Sequence, residues 1–135
     1  MAAAHPSVPP RDSTESPFAR ILAGLETACD GFETAVFFDD LGETIDYYSY
    51  LDPFSARLVA AHHGVLFSSA NHRLEWLGAG SATHLEIYAA DRDSVTLRVG
   101  KGYYMTVVVR AGTLSDALFV RIAEVAVEFL AEAGL

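Results

Sequence analysis

The sequence predicts an α/β domain of the α+β kind: a five-stranded antiparallel sheet flanked by helices, in the order α-β-β-α-β-β-β-α. Three observations predict it. Two segments, TAVFF at Thr34–Phe38 and YYMTVVV at Tyr103–Val109, are apolar on both sides, as central strands are. Three further segments have strand composition or alternation and are joined to their neighbours by tight turns. Three longer segments carry apolar residues at helical spacing behind recognisable start signals.

The elements follow in order. Residues 1–15, rich in Pro, Ser and Ala, read as a disordered tail, leaving 16–135 as one domain. Ser16-Pro17 starts a helix, with Phe18, Ile21, Leu22 and Leu25 on its apolar side and Gly31 as its end. Thr34–Phe38 and Glu43–Leu51 form a hairpin about the turn Asp39-Asp40-Leu41-Gly42. Asp52-Pro53 repeats the start signal for a helix over Pro53–His72, and Leu74–Ser81 reads as a connector with two glycines. Thr83–Ala89 alternates Leu85 and Ile87 against His84, Glu86 and Tyr88. Val95, Leu97 and Val99 alternate in the next strand, and Gly100-Lys101-Gly102 makes the hairpin loop to Tyr103–Val109. The last helix runs over Leu114–Ala133, with Thr113 as N-cap and Asp116 in the capping-box position. Leu118, Ile122, Val125, Ala126 and Phe129 line one face of it, and Arg121, Glu124, Glu128 and Glu132 the other.

Composition bounds the function. The 135 residues suit one domain, and 51% apolar content is enough for a core. A formal charge of −9 repels phosphate, so neither nucleic acid nor an anionic membrane is an expected partner. The one cysteine, Cys29, makes no disulfide within the chain, which suits a reducing, cytoplasmic setting. The opening residues lack a basic segment followed by an apolar one, so no signal peptide is expected. No stretch approaches the roughly 20 apolar residues of a membrane span.

The middle helix is the informative element. Phe54, Leu58, Ala61, Val65 and Ser69 form one stripe that can pack on the sheet. The opposite side carries Ala56, Ala60, His63, Phe67 and Ala70, and Arg57 is the one formal charge besides histidine from Phe54 to His72. A helix apolar nearly all round is covered on both sides, and a chain of this size has little left for the second cover. Ala56, Ala60 and Gly64 would admit another helix closely; the bland reading is a small-residue helix facing water. The strand Thr83–Ala89 has no proline and one charge, Glu86, so as an edge it is poorly protected against pairing with a twin.

Taken together, AVFFDDLGETIDYYSYLDP with Gly42 and Asp46, the small-residue helix, LEWLGAG, THLEIYAADRDSVTLRVGKGYYMTVVV and the final helix resemble the roadblock/LC7 family, which includes bacterial MglB-like proteins. The resemblance spans roughly residues 17 to 133. It implies a profilin-like fold and a homodimer in which Thr83–Ala89 pairs with its twin and the helices Pro53–His72 lie side by side. It further implies a Ras-like small GTPase as partner, scaffolded or activated without a donated arginine. The interface residues selected are Ala56, Arg57, Ala60, His63, Gly64 and Phe67 on the helix and His84, Glu86 and Tyr88 on the strand. Ala60→Arg is then expected to weaken dimer or complex. Adjacent His62 and His63 and the bulky Phe67 depart from the family pattern, where these positions are smaller.

Catalytic chemistry finds little footing. His62 and His63 point about 100° apart on a helix, no HExxH or HxxxH spacing exists, and no metal or cofactor is expected. Asp39, Asp40, Glu43 and Asp46 fit a turn better than a metal site or carboxylate pair. Gly100-Lys101-Gly102 lies between strands and is no phosphate loop. Cys29 near a helix C-terminus fits a packed thiol better than a nucleophile. Arg57 and Arg73 fit rim contacts better than an arginine finger. For Tyr47, Tyr48 and Tyr50, partner binding and half-buried packing are equal readings. The expectation is therefore a non-enzymatic adaptor; the alternatives are a PAS-like small-molecule sensor, expected to enclose a cavity, or a general interaction module without a GTPase.

Overall fold

In the computed structural model, which describes residues 16–134, helices cover both faces of an antiparallel sheet. The tail assigned to residues 1–15 lies outside the described residues. The elements are α1 (Pro17–Ala23), a short 3-10 turn (Glu26–Ala28), β1 (Phe32–Asp39), β2 (Thr44–Ser49), α2 (Pro53–Trp76), β3 (His84–Tyr88), β4 (Arg92–Arg98), β5 (Tyr103–Arg110) and α3 (Asp116–Ala133). Among these the sheet order is β2-β1-β5-β4-β3, with every neighbouring pair antiparallel. The two doubly apolar strands, β1 and β5, are adjacent at the centre, and β3 is an edge.

Alternation along the strands divides the core in two. Ala35, Phe37, Val95, Met105 and Val107 point to the side covered by α1 and α3, where Leu22, Leu118, Ile122, Val125 and Phe129 meet them. Phe37 and Phe129 stack there at 4.3 Å between ring centroids. Val36, Phe38 and Tyr47 point to the other side, where Ala56 and Ala60 of α2 close over them. Thr96 and Thr106, both buried on this side, satisfy each other at 2.8 Å.

Three boundaries differ from the sequence expectation. The first helix ends at Ala23 with Gly24 as C-cap, not at Gly31. Gly31 is needed for contact instead: a Cβ there would collide with the Thr113 side chain. The middle helix runs on to Trp76, because Arg73, Leu74 and Glu75 favour helix and the first left-handed residue is Gly78, at φ 73°. The last helix starts at Asp116 under Ser115, whose hydroxyl accepts from Leu118 N–H at 3.2 Å. Thr113 donates to the Arg110 carbonyl at 2.6 Å, which removes it from capping.

Candidate protein interface

The helix α2 is set by its ends. Asp52 caps the start: one carboxylate oxygen accepts from Ser55 N–H at 2.9 Å and the other from the Ser55 hydroxyl at 2.7 Å. Those two bonds hold its carboxyl below the usual range. Over the sheet, the helix axis comes close because the residues beneath it are small and the sheet residues are large. Ala56 and Ala60 are fully buried on Phe38 and Tyr47. Gly64 meets the hairpin: a Cβ on it would contact Phe38 at 3.4 Å and Gly42 Cα at 3.5 Å. Gly42, at φ 79°, presses back on Ala61. Further along, buried Phe67 meets Tyr104 edge-on at 5.2 Å, and the Arg98 guanidinium lies 5.7 Å above the Phe67 ring.

This packing reverses the two faces expected from the sequence. Ala56, Ala60 and Phe67, assigned to a partner, belong to the chain's own core, and His63 and Gly64 are half-buried against their own sheet and hairpin. His63 Nδ1–H donates to the Val59 carbonyl at 2.8 Å, and Nε2 takes the Ser94 hydroxyl at 3.1 Å. Burial, reinforced by neighbouring His62 and opposed by the Val59 bond, lowers its pKa. The stripe assigned to the sheet faces outward. Phe54 and Val65 are each 68% exposed and Leu58 and Ala61 are exposed with them, while Trp76 extends the row at 83% exposed. Arg57, alone among the six selected helix residues, lies on this outer side. The reason is volume: Phe38, Tyr47 and Tyr104 fill the space over the sheet, so the thinner side of the helix fits beneath. Large sheet residues on that side were the signal that could have oriented the helix.

The strand residues are where alternation placed them. His84, Glu86 and Tyr88 are exposed on the edge strand β3, and Leu85 and Ile87 are half-buried. Glu86 accepts from His84 Nε2 at 2.9 Å and from the Tyr88 hydroxyl at 2.6 Å. The structure thus gathers His84, Glu86 and Tyr88 into one cluster and separates them from Ala56, Ala60 and Phe67, which lie beneath the helix.

The remaining candidates have structural occupations. Asp39 accepts from Leu41 and Glu43 N–H, each at 3.0 Å, and shapes the β1–β2 turn. Asp46 accepts from the Ser16 hydroxyl and from its neighbour Tyr47 N–H. Tyr48 and Tyr50 both donate to the carboxylate of Glu26, and Tyr47 is buried beneath α2. The Cys29 thiol donates to the Thr113 carbonyl at 3.3 Å. Arg57 and Arg73 are exposed along the outer side of α2. Among the described residues no three His, Cys, Asp or Glu side chains group to hold a metal, and no helix is long and apolar enough to cross a membrane. The larger hollows are open grooves along α2, including about 430 Å³ between its first turns and β4 and about 560 Å³ under Trp76.

Comparison with known proteins identifies the fold. No protein-family model and no curated protein sequence matches the chain. Solved structures do. A roadblock/LC7 domain from Streptomyces avermitilis superposes with a TM-score of 0.79 at 18% identity, over 87% of this chain and 98% of that one. MglB of Myxococcus xanthus gives 0.74 at 12% identity, over 87% and 94%. An MglB with a tetrameric arrangement gives 0.74 at 14% identity, over 98% and 100%. The chain has the roadblock/LC7 fold, as the order of its elements led one to expect.

Proposed function

We propose that this roadblock/LC7-fold chain is a non-catalytic, cytoplasmic homodimeric adaptor that binds a Ras-like small GTPase, as a scaffold or as an activating partner. One observation carries the reading: the outer side of α2 exposes Phe54, Leu58, Ala61, Val65 and Trp76 in a single row, with two arginines and no carboxylate except Glu75 near its end. A row of that kind in water marks a contact surface. Beside it, β3 leaves one side of its backbone without a neighbouring strand among the described residues. A two-fold axis that sets two such helices side by side also brings two such edges together. The arrangement of MglB in a tetramer supports self-association on this fold. The GTPase as partner class rests on the resemblance of the ordered sequence patterns and on the shared fold.

The test is Val65→Arg. The site is exposed, so the isolated subunit keeps its fold while a charge enters the contact. Light scattering is expected to show a dimer for the natural chain and a folded monomer for the variant. Pull-down with Ras-like GTPases of the source organism is expected to lose its complex in parallel. A variant that keeps dimer mass and GTPase binding would overturn the assignment of this face.

A further inference from the structure

The edge strand carries a polar cluster that its own sheet does not require. His84, Glu86 and Tyr88 face the α1/α3 side of the sheet, opposite Leu97, Val95 and Asp93 of β4. They are exposed on that side. The two carboxylate oxygens of Glu86 are divided between His84 Nε2 and the Tyr88 hydroxyl. The Thr83 hydroxyl meets His84 Nδ1 at 3.1 Å. On β4 the acid of this side, Asp93, is buried and accepts from Ala89 and Gly112 N–H. The titratable groups around His84 are thus Glu86, Tyr88 and, beyond them, Asp93, with no lysine or arginine in the cluster.

Self-pairing of β3 has a preferred register. A two-fold axis perpendicular to the sheet keeps each face on its own side, so a residue pairs only with one an even number of positions away. Centring on Glu86 pairs all five residues of His84–Tyr88; centring on Leu85 or Ile87 pairs three. The Glu86 register also sets Leu85 against the partner's Ile87 beneath the helices. Its consequence on the opposite face is a pair of carboxylates at the axis, with Cβ atoms about 4.5–5.5 Å apart. Like charges directly opposite oppose pairing. Each is flanked by a histidine, the side chain that changes charge between about pH 5 and 8.

We propose that β3 self-pairing is proton-gated: Glu86 meets the partner's Glu86 at the two-fold axis, and protonation of the two His84 side chains supplies the balancing charge. With both imidazoles neutral the seam carries two negative charges; with both protonated it carries none. Association therefore takes up protons, and the dimer tightens as pH falls. This rests on the homodimer proposed above.

Sedimentation velocity on the full chain from pH 8 to pH 6, in buffer with EDTA, tests it. The dissociation constant is expected to fall about tenfold over this range, a mean uptake of about half a proton per dimer. His84→Gln is expected to keep the pH 8 value throughout. Glu86→Gln is expected to dimerise more tightly at pH 8 and to loosen, not tighten, as pH falls, because positive charge at the seam then has no carboxylate to balance it. His62, His63 and His72 are present in all three proteins, so the comparison isolates His84 and Glu86. Equal pH slopes for the natural chain and His84→Gln, or no tightening at pH 8 in Glu86→Gln, would overturn the gate while leaving the dimer intact. A natural chain that stays monomeric at every pH would instead remove the dimer, and the gate with it.

Discussion

His63 shows how little freedom a single buried side chain has. Its two ring nitrogens are committed: Nδ1–H donates to the Val59 carbonyl, and Nε2 of the neutral ring accepts from the Ser94 hydroxyl. Its folded pKa lies below the ordinary 6.5 because burial penalises the charged form. Above pH 6.5 the ring is neutral in folded and unfolded chains alike, and its contribution to stability is complete. Below that value the unfolded chain takes the proton first, so stability declines until the folded ring is itself protonated. The melting temperature is expected to drop between pH 7.5 and pH 5.5, and to drop less in His63→Gln. An equal drop in both would show that other groups cause it. The buried Thr96–Thr106 bond makes a second prediction at this scale. Thr106→Val strands one hydroxyl and is expected to cost about 1–3 kcal/mol in urea denaturation. Adding Thr96→Val is expected to recover part of that loss.

At the scale of the element, α2 separates two substitutions that its sequence makes look alike. Ala60 is fully buried over Phe38 and Tyr47, whereas Val65 is exposed one turn further on. Ala60→Arg is expected to cost on the order of 3–5 kcal/mol by burying an unpaired charge, so circular dichroism should show a strongly lowered melting point. Val65→Arg is expected to change subunit stability by less than about 0.5 kcal/mol. Ala60→Arg therefore reports on folding and cannot report on partner binding. At α3, Ser115→Ala is expected to cost about 1 kcal/mol through loss of the cap, measurable in the same melts. The elements themselves were legible in the sequence: order, strand alternation and the caps Ser16 and Asp52 all appear in the structure. The orientation of α2 was not. Periodicity finds two apolar stripes 180° apart but assigns neither to the sheet, and that choice depends on the bulk of Phe38, Tyr47 and Tyr104 from distant strands. The strand half of the candidate surface was legible because a period of two leaves one assignment once Leu85 and Ile87 turn inward.

At the scale of the molecule, the two faces of the sheet are unequally finished. The α1/α3 side buries a continuous cluster and ends in a helix whose polar edge carries Arg121 with Glu124 and Glu128. The α2 side ends in an apolar row from Phe54 to Trp76, longer than the pair of exposed valines, Val120 and Val127, on α3. The net charge of −9 and the acidic residues outside that row suit a partner with a basic rim. Complex formation with a GTPase is accordingly expected to weaken as salt rises from 50 to 500 mM, chiefly through a slower association rate in stopped-flow measurements. A rate indifferent to salt would assign the recognition to apolar contact alone.

The overhanging end of α2 has a practical corollary. The chain contains one tryptophan, and it is Trp76, standing in solvent at the tip of that helix. Its intrinsic fluorescence is thus a built-in probe: the emission maximum should lie far to the red while the tip is wet and move blue when anything seats there. Titrations can follow occupancy of this end of the protein without a dye, a label or an engineered residue.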